Sequence, residues 1–289
     1  MDTASGARAR AAEAWSAFWA DPAQSHCAAG APGIWTALTS HWAAFARSLG
    51  AGTRVLDLGC GAGVVGKLLL DARSDLRVTG IDSAKIPPAT HPRLATLSHT
   101  AMESMPFSDR QFGAAVSQFG FEYSQADVAA REIARVLARG AKLSFLVHHA
   151  ESAIVHSTRD RLNVIGEFLG STLCTAFCSA DVATFRSQMS ALIDRYRHDA
   201  LVAHLARALP PRLNSPHWHR VAIWTALEVA LEPERRVSES LDACCVAPAQ
   251  MEEWLGPLRS VCDLAPVAVL REPNGNPIAW RVAGVRPGG

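Results

Sequence analysis

The chain predicts an α/β fold with a doubly wound, mostly parallel seven-stranded sheet, and three features carry that expectation. Short β-rich apolar runs alternate with helical stretches from Thr53 to about His149. A glycine-rich turn, Gly59-Cys60-Gly61-Ala62-Gly63, follows the first run. Two β-rich runs flank Asn274-Gly275 near the C-terminus. Strands that alternate with helices are joined by crossovers, which make neighbouring strands parallel. An Asn-Gly pair between β-rich runs marks a hairpin, which adds two antiparallel strands at one edge.

The elements follow in order. Residues 7–21, ARARAAEAWSAFWAD, are Ala-rich, and Glu13 interrupts them before any apolar stretch of signal-peptide length. They read as an amphipathic helix and not as a targeting signal. Arg54–Leu58 is the first strand, and Val64 to Leu70 is the helix after the glycine turn. Leu76–Asp82, Leu94–His99, Phe112–Gln118 and Ala141–His149 supply strands two to five. Between the last two, Ser124 with Asp127 forms a capping box, Val128, Ile133, Val136 and Leu137 make one apolar face, and Arg139-Gly140 closes the helix.

Beyond His149 the pattern turns helical. Val182, Phe185, Met189, Leu192, Ile193 and Tyr196 recur at helical spacing behind an N-cap at Asp181, and residues 215–231 suggest a further helix. Pro273 and Pro277 mark the terminal turn and do not break a strand. The expected organisation is an N-terminal helical lid (1–50), a ligand-binding core (51–150), a helical insertion or substrate cap (151–260) and a terminal β-hairpin (261–289).

Composition narrows the function. Of 289 residues, 49% are hydrophobic and 19% charged, enough for a sizeable core. The net charge of +1, without a basic run, lacks the electrostatic footprint of a nucleic-acid partner. No apolar run approaches membrane-spanning length. Seven cysteines, odd in number and irregularly spaced, point to reduced thiols in a cytoplasm. Cys174 with Cys178, the pair Cys244-Cys245 and His217-Trp218-His219 do not make a set of ligands at metal spacing, so no metal is expected.

The glycine turn decides the ligand. A phosphate loop needs a hydroxyl after its lysine, and Leu68 follows Lys67. A dinucleotide fingerprint is satisfied by Gly61, Gly63 and Gly66, with Asp82 at the end of the next strand as the ribose-binding acid. Asp57 separates that reading from a third. A carboxylate two residues before the first glycine repels a pyrophosphate in a poorly solvated cleft and attracts a ligand carrying an ammonium and a sulfonium.

The stretch VLDLGCGAG resembles the first motif of the class I S-adenosylmethionine-dependent methyltransferases, D/E-x-G-x-G-x-G, whose small-molecule members have a Rossmann-like core. The likeness continues in order through VTGID, AMESMPFSDRQFGAAVSQFGFEY and REIARVLARGAKLSFLVHH, covering about residues 50–150. The resemblance implies S-adenosyl-L-methionine as cofactor. It places Gly59, Cys60, Gly61 and Gly63 under that cofactor with Asp57 facing its amino end, and Asp82 and Ser83 at the ribose. It further places Ala101, Met102 and Glu103 along the adenine, and Gln118 and Phe119 beside the methionine portion. Two departures stand out: many relatives carry Asp where Ala101 and Gly113 stand. Losing the first removes an acceptor for the adenine amine, worth about 1 kcal/mol.

Methyl transfer is an in-line displacement in which the protein chiefly positions two partners, so a base is needed only for a protonated acceptor. The candidate catalytic groups are His148 and Tyr123, with His149 and Glu122 beside them. Trp15, Trp19, Trp35, Trp42, Trp218 and Trp224 could wall a pocket for a small, largely apolar acceptor with an O, N, S or C nucleophile. His26-Cys27 is a minor lid candidate. The alternatives are a non-catalytic binding or regulatory protein of the same fold, and an NAD(P)-dependent oxidoreductase.

Overall fold

The apolar runs assemble into one sheet. The computed structural model describes residues 3–20, 32–170, 172–197 and 199–288, with side chains from residue 11 onward; the candidates His26 and Cys27 lie outside the described residues. The elements are α1 (Thr3–Ala20), α2 (Pro32–Ser48), β1 (Arg54–Leu58), α3 (Val64–Ala72), β2 (Arg77–Ile81), β3 (Leu94–Leu97), β4 (Phe112–Gln118), α4 (Ala126–Val136) and β5 (Leu137–His148). They continue as α5 (Ala153–Gly170), α6 (Leu173–Ser179), α7 (Val182–Arg195), α8 (Ala200–Ala208), α9 (His217–Cys244), α10 (Met251–Arg259), β6 (Asp263–Leu264), β7 (Ala268–Arg271) and β8 (Pro277–Val285).

The sheet runs β3-β2-β1-β4-β5-β8, parallel up to β5 and antiparallel from β5 to β8. The seventh position is one edge strand in two pieces. β7 pairs with the first half of β8 and β6 with its end, both antiparallel, and Ala265 still donates to Ala283 O. Pro266 stands in the gap, where its missing N–H cannot extend the ladder. Eight strands therefore occupy the seven positions that the sequence predicts.

Alternation along β1 sorts the two faces. Val55 packs with Leu38 and Trp42 of α2 and Val65 and Leu69 of α3. Leu56 and Leu58 pack with Ile133 and Val136 of α4 and Leu255 and Leu258 of α10. Each fully buried aliphatic chain contributes about 1.5–3 kcal/mol. Asp57 shares the face of Val55, which puts a carboxylate under α3.

Several boundaries differ from the sequence reading. Ser124 does not cap α4; its hydroxyl donates to Phe121 O, and Glu103 accepts from the Gln125 N–H at the helix start instead. The buried face is Ala129, Ala130, Ile133 and Val136, with Val128 half-buried. Leu137 begins β5 directly, and Gly140, at φ 74°, sits in its irregular first half. Asp181 does cap α7, accepting from the Thr184 N–H. α9 runs past Pro233 to Cys244 because buried Trp224 and Leu231 before the proline, and Val237 and Leu241 after it, hold both halves.

The chain divides into two compact units, Met1–His156 with Ser240–Gly289, and Ser157–Glu239. Residues 240–260, inside the insertion that the sequence predicts, belong to the first. The second is all helical around Val164, Phe168, Phe177, Phe185 and Trp224, with Phe168 and Trp224 stacked at 4.6 Å. Among the described residues no single helix is long and apolar enough to cross a membrane.

Candidate functional site

The site lies where β1, β2 and β4 end, the position at which open α/β sheets bind ligands. A cavity of about 490 Å³ opens there in the first unit. Of the residues singled out by sequence, Gly59, Cys60, Asp82, Ser83, Ala101, Met102, Glu103, Gln118, Phe119 and Tyr123 line it. Asp57, Gly61, Gly63 and His148 do not.

The glycine turn needs left-handed backbone. Gly59 has φ 67° and Gly61 φ 49°, which cost L side chains strain. A Cβ on Gly59 would stand 2.9 Å from Gly120 Cα, and one on Gly61 would fall inside the Trp19 ring of α1. Four of its five amides are spent internally. Gly59 and Cys60 donate to Ile81 O, Gly63 to Cys60 O, and Gly61 to Asp82 Oδ2. A pyrophosphate held on this turn would need those N–H groups, so the geometry disfavours the dinucleotide reading.

Asp82 follows β2. Its Oδ2 accepts from Gly61 N–H at 2.9 Å and its Oδ1 from Ala84 N–H at 2.9 Å. Each oxygen keeps a lone pair for a further donor such as a ribose hydroxyl. Burial raises its pKa against those two hydrogen bonds.

Asp57 is fully buried, and neither carboxylate oxygen has a hydrogen-bond partner. Burial pushes it up to about 7; the Gly66 N–H opposes this from outside hydrogen-bonding geometry, and Asp82 adds to it. Asp57 thus sits behind the turn, where it acts on a ligand only through its field. Cys60 packs its side chain on Gly80, and burial, with Asp57 and Asp82 nearby, drives the thiol well above its ordinary value. It is a wall and not a nucleophile.

The remaining walls are aromatic. Trp15 and Trp19 of α1 face the cavity with ring centroids 6.1 Å apart, and Trp15 meets Tyr123 edge-on at 5.6 Å. Of the other tryptophans, Trp42 and Trp224 are buried in the cores of their own units and Trp218 is 71% exposed. Phe119, at φ 58°, stacks on His148 at 4.1 Å. His148 is buried, and its Nδ1 and backbone N–H both bond Glu122 Oε1, at 2.8 and 2.9 Å. The carboxylate accepts, so Nδ1 carries a proton, and the ring's other polar atom is Nε2. That nitrogen is buried without a partner, as is Glu122 Oε2. His149 stacks instead on Trp280 at 4.3 Å, a core role.

Sequence reading missed two contributors. A Cβ on Gly120 would stand 2.7 Å from Leu58 O, so this glycine lets the ends of β1 and β4 touch. Ser117 donates to Leu58 O and accepts from Phe121 N–H, fixing the same junction. A glycine between two aromatics just after a strand was the available signal.

Residues 55–140 match the family described as methyltransferase domain. No curated protein matches the chain. Among solved structures it is similar to the Burkholderia thailandensis 1,6-didemethyltoxoflavin-N1-methyltransferase, with bound 1,6-didemethyltoxoflavin and S-adenosylhomocysteine. That likeness has 11% identity, covers 98% of this chain and 89% of that one, and has a TM-score of 0.50. It is also similar to the putative methyltransferase in the Haloferax volcanii complex with the Trm112 activator, at 14% identity, 94% and 97% coverage and a TM-score of 0.49. The match to a methyltransferase domain thus covers residues 55–140, and the chain shares the fold of a solved methyltransferase.

Proposed function

We propose that the chain transfers a methyl group from S-adenosyl-L-methionine to a small, largely apolar acceptor in the cavity above β1, β2 and β4. One observation carries this reading. Asp82 lines the cavity with Oδ2 fixed on Gly61 of the glycine turn and Oδ1 on Ala84, while four of the turn's five amides are spent on protein, so the site offers a carboxylate where a phosphate would need free N–H groups. Among the described residues no lysine, arginine or histidine lines the cavity, which suits a cationic nucleoside. Its volume is of the size of ordinary small-molecule pockets.

In this reading Gly59 lies on the floor, Gly61 and Gly63 bend the turn beneath it, Asp82 and Ser83 hold the ribose, and Ala101, Met102 and Glu103 flank the adenine. Glu103 already accepts from Gln125 N–H at 2.7 Å, so one of its oxygens is committed to protein. Phe119, Trp15 and Trp19 exclude water. When bound, the cofactor supplies an electrophilic methyl group. The protein's work is to hold the acceptor atom in line with it. For an acceptor that arrives with a proton, Tyr123 stands on the wall, and the Glu122–His148 pair lies behind Phe119 with Nδ1 bonded to the carboxylate. The similarly folded Burkholderia thailandensis N1-methyltransferase holds 1,6-didemethyltoxoflavin, and the aromatic walls here suit a flat acceptor. The six described cysteines are free thiols, which supports a cytoplasmic place for the reaction.

Thermal-shift titration tests the reading. S-adenosylhomocysteine and S-adenosylmethionine are expected to raise Tm, and NAD and NADP to leave it unchanged. Asp82→Ala is expected to weaken S-adenosylhomocysteine binding about 10- to 100-fold in calorimetry, the cost of hydrogen bonds to a charged group. A shift with NAD alone would reverse the assignment. Methyl release to a metabolite mixture separates an enzyme from a silent binder.

A further inference from the structure

Trp42, fully buried on α2, donates its indole N–H to Gln118 Oε1 at 2.7 Å. Indole nitrogen can only donate, so the amide oxygen of Gln118 must face the ring. Its NH2 group is thereby turned away, and it makes no other hydrogen bond among the described residues. Gln118 is half-buried at the end of β4 and lines the cavity. The described lining residues that carry a formal charge, Asp82 and Glu103, are carboxylates.

The strand order supplies a ruler. β2 and β4 flank β1, so Asp82 and Gln118 stand two strand spacings apart, about 9–10 Å. A nucleoside with its ribose on Asp82 projects its 5′ substituent across the glycine turn toward β4. The far end of that substituent, if anionic, meets the oriented Gln118 amide donor, and no described side chain lining the cavity is cationic.

We infer that Trp42 is a positioning residue that locks the Gln118 amide with its N–H groups toward the cavity, and that this donor binds the carboxylate of the cofactor's amino-acid end. The inference rests on the cofactor reading above. It gives α2, a helix outside the matched domain, a direct part in ligand selection.

The test compares two nucleosides by calorimetry: S-adenosylhomocysteine, which carries the carboxylate, and 5′-methylthioadenosine, which lacks it. Trp42→Phe keeps the ring and removes the donor, freeing the amide to turn over. It is expected to weaken S-adenosylhomocysteine about 5- to 10-fold, and 5′-methylthioadenosine by less than about twofold. Gln118→Glu sets a carboxylate against the ligand's own and is expected to weaken the first ligand about 30-fold or more, again sparing the second. Gln118 is only half-buried, so that variant keeps the test alive if Trp42→Phe fails to fold. Equal losses for both ligands, or no loss for S-adenosylhomocysteine, overturn the inference alone. Wild-type protein that binds neither nucleoside overturns the cofactor reading and the inference with it.

Discussion

Asp57, fully buried, and His41, half-buried, are ionisable groups whose effects on stability oppose each other. Asp57 stands at about 7 against an ordinary 3.8, chiefly through burial. Its folded pKa is raised, so its contribution to stability is complete below about 3.8 and is lost as pH rises through about 7. That gap corresponds to about 4 kcal/mol at most. His41, bonded through Nε2 to Ser144 at 3.0 Å, is lowered to about 4 by burial and then by Arg281. Its contribution is complete above about 6.5 and is lost as pH falls through about 4. Over the shared range the two slopes offset. Asp57→Asn removes one of them. The stability difference between variant and wild type, measured by urea unfolding, is expected to grow in favour of the variant from pH 4 to about 7, by about 2–4 kcal/mol, and then to level off. A flat difference would show that Asp57 titrates normally.

At the scale of elements, the site is a junction of strand ends. The closeness of β1 and β4 depends on two glycines meeting back to back, Gly59 and Gly120. They fail for different reasons when substituted. Gly59→Ala combines a left-handed backbone with a clash, whereas Gly120 has an ordinary φ of −132° and lacks only the space for a Cβ. Gly120→Ala pushes on the Leu58 carbonyl, which belongs to backbone and cannot swing aside. It is expected to cost more than about 2 kcal/mol in denaturant unfolding and to weaken S-adenosylhomocysteine binding as the turn shifts. Unchanged stability and affinity would mean that the junction has slack. Capping follows the same logic of tertiary override: Glu103, from a loop on the cavity wall, takes the place at α4 that local sequence gives to Ser124.

At the scale of the molecule, two units have separate cores. The core of Ser157–Glu239 centres on Phe168, Phe177, Phe185 and Trp224. Phe168→Ala removes a fully buried ring stacked on Trp224 and is expected to cost about 3–5 kcal/mol. Hydrogen exchange should accelerate within that unit while the amides of β1, β4 and β5 keep their protection. Faster exchange throughout the sheet would show that the two cores unfold as one.

The local sequence determined the alternation of strands and helices, the glycine turn, the terminal hairpin and the acid after β2, because each depends on neighbours a few residues away. The backbone conformation of Gly59 and Gly61, the Asp181 cap and the turn around Asn274-Gly275 are of this kind. Tertiary structure alone decided that Asp57 lies behind the turn and not in the cavity, that Trp19 covers Gly61, that Gly120 meets Gly59, and that Trp42 fixes Gln118. The physical reason is separation along the chain. Trp42 and Gln118 are 76 residues apart, and no periodicity records a hydrogen bond closed only when helix and strand pack together.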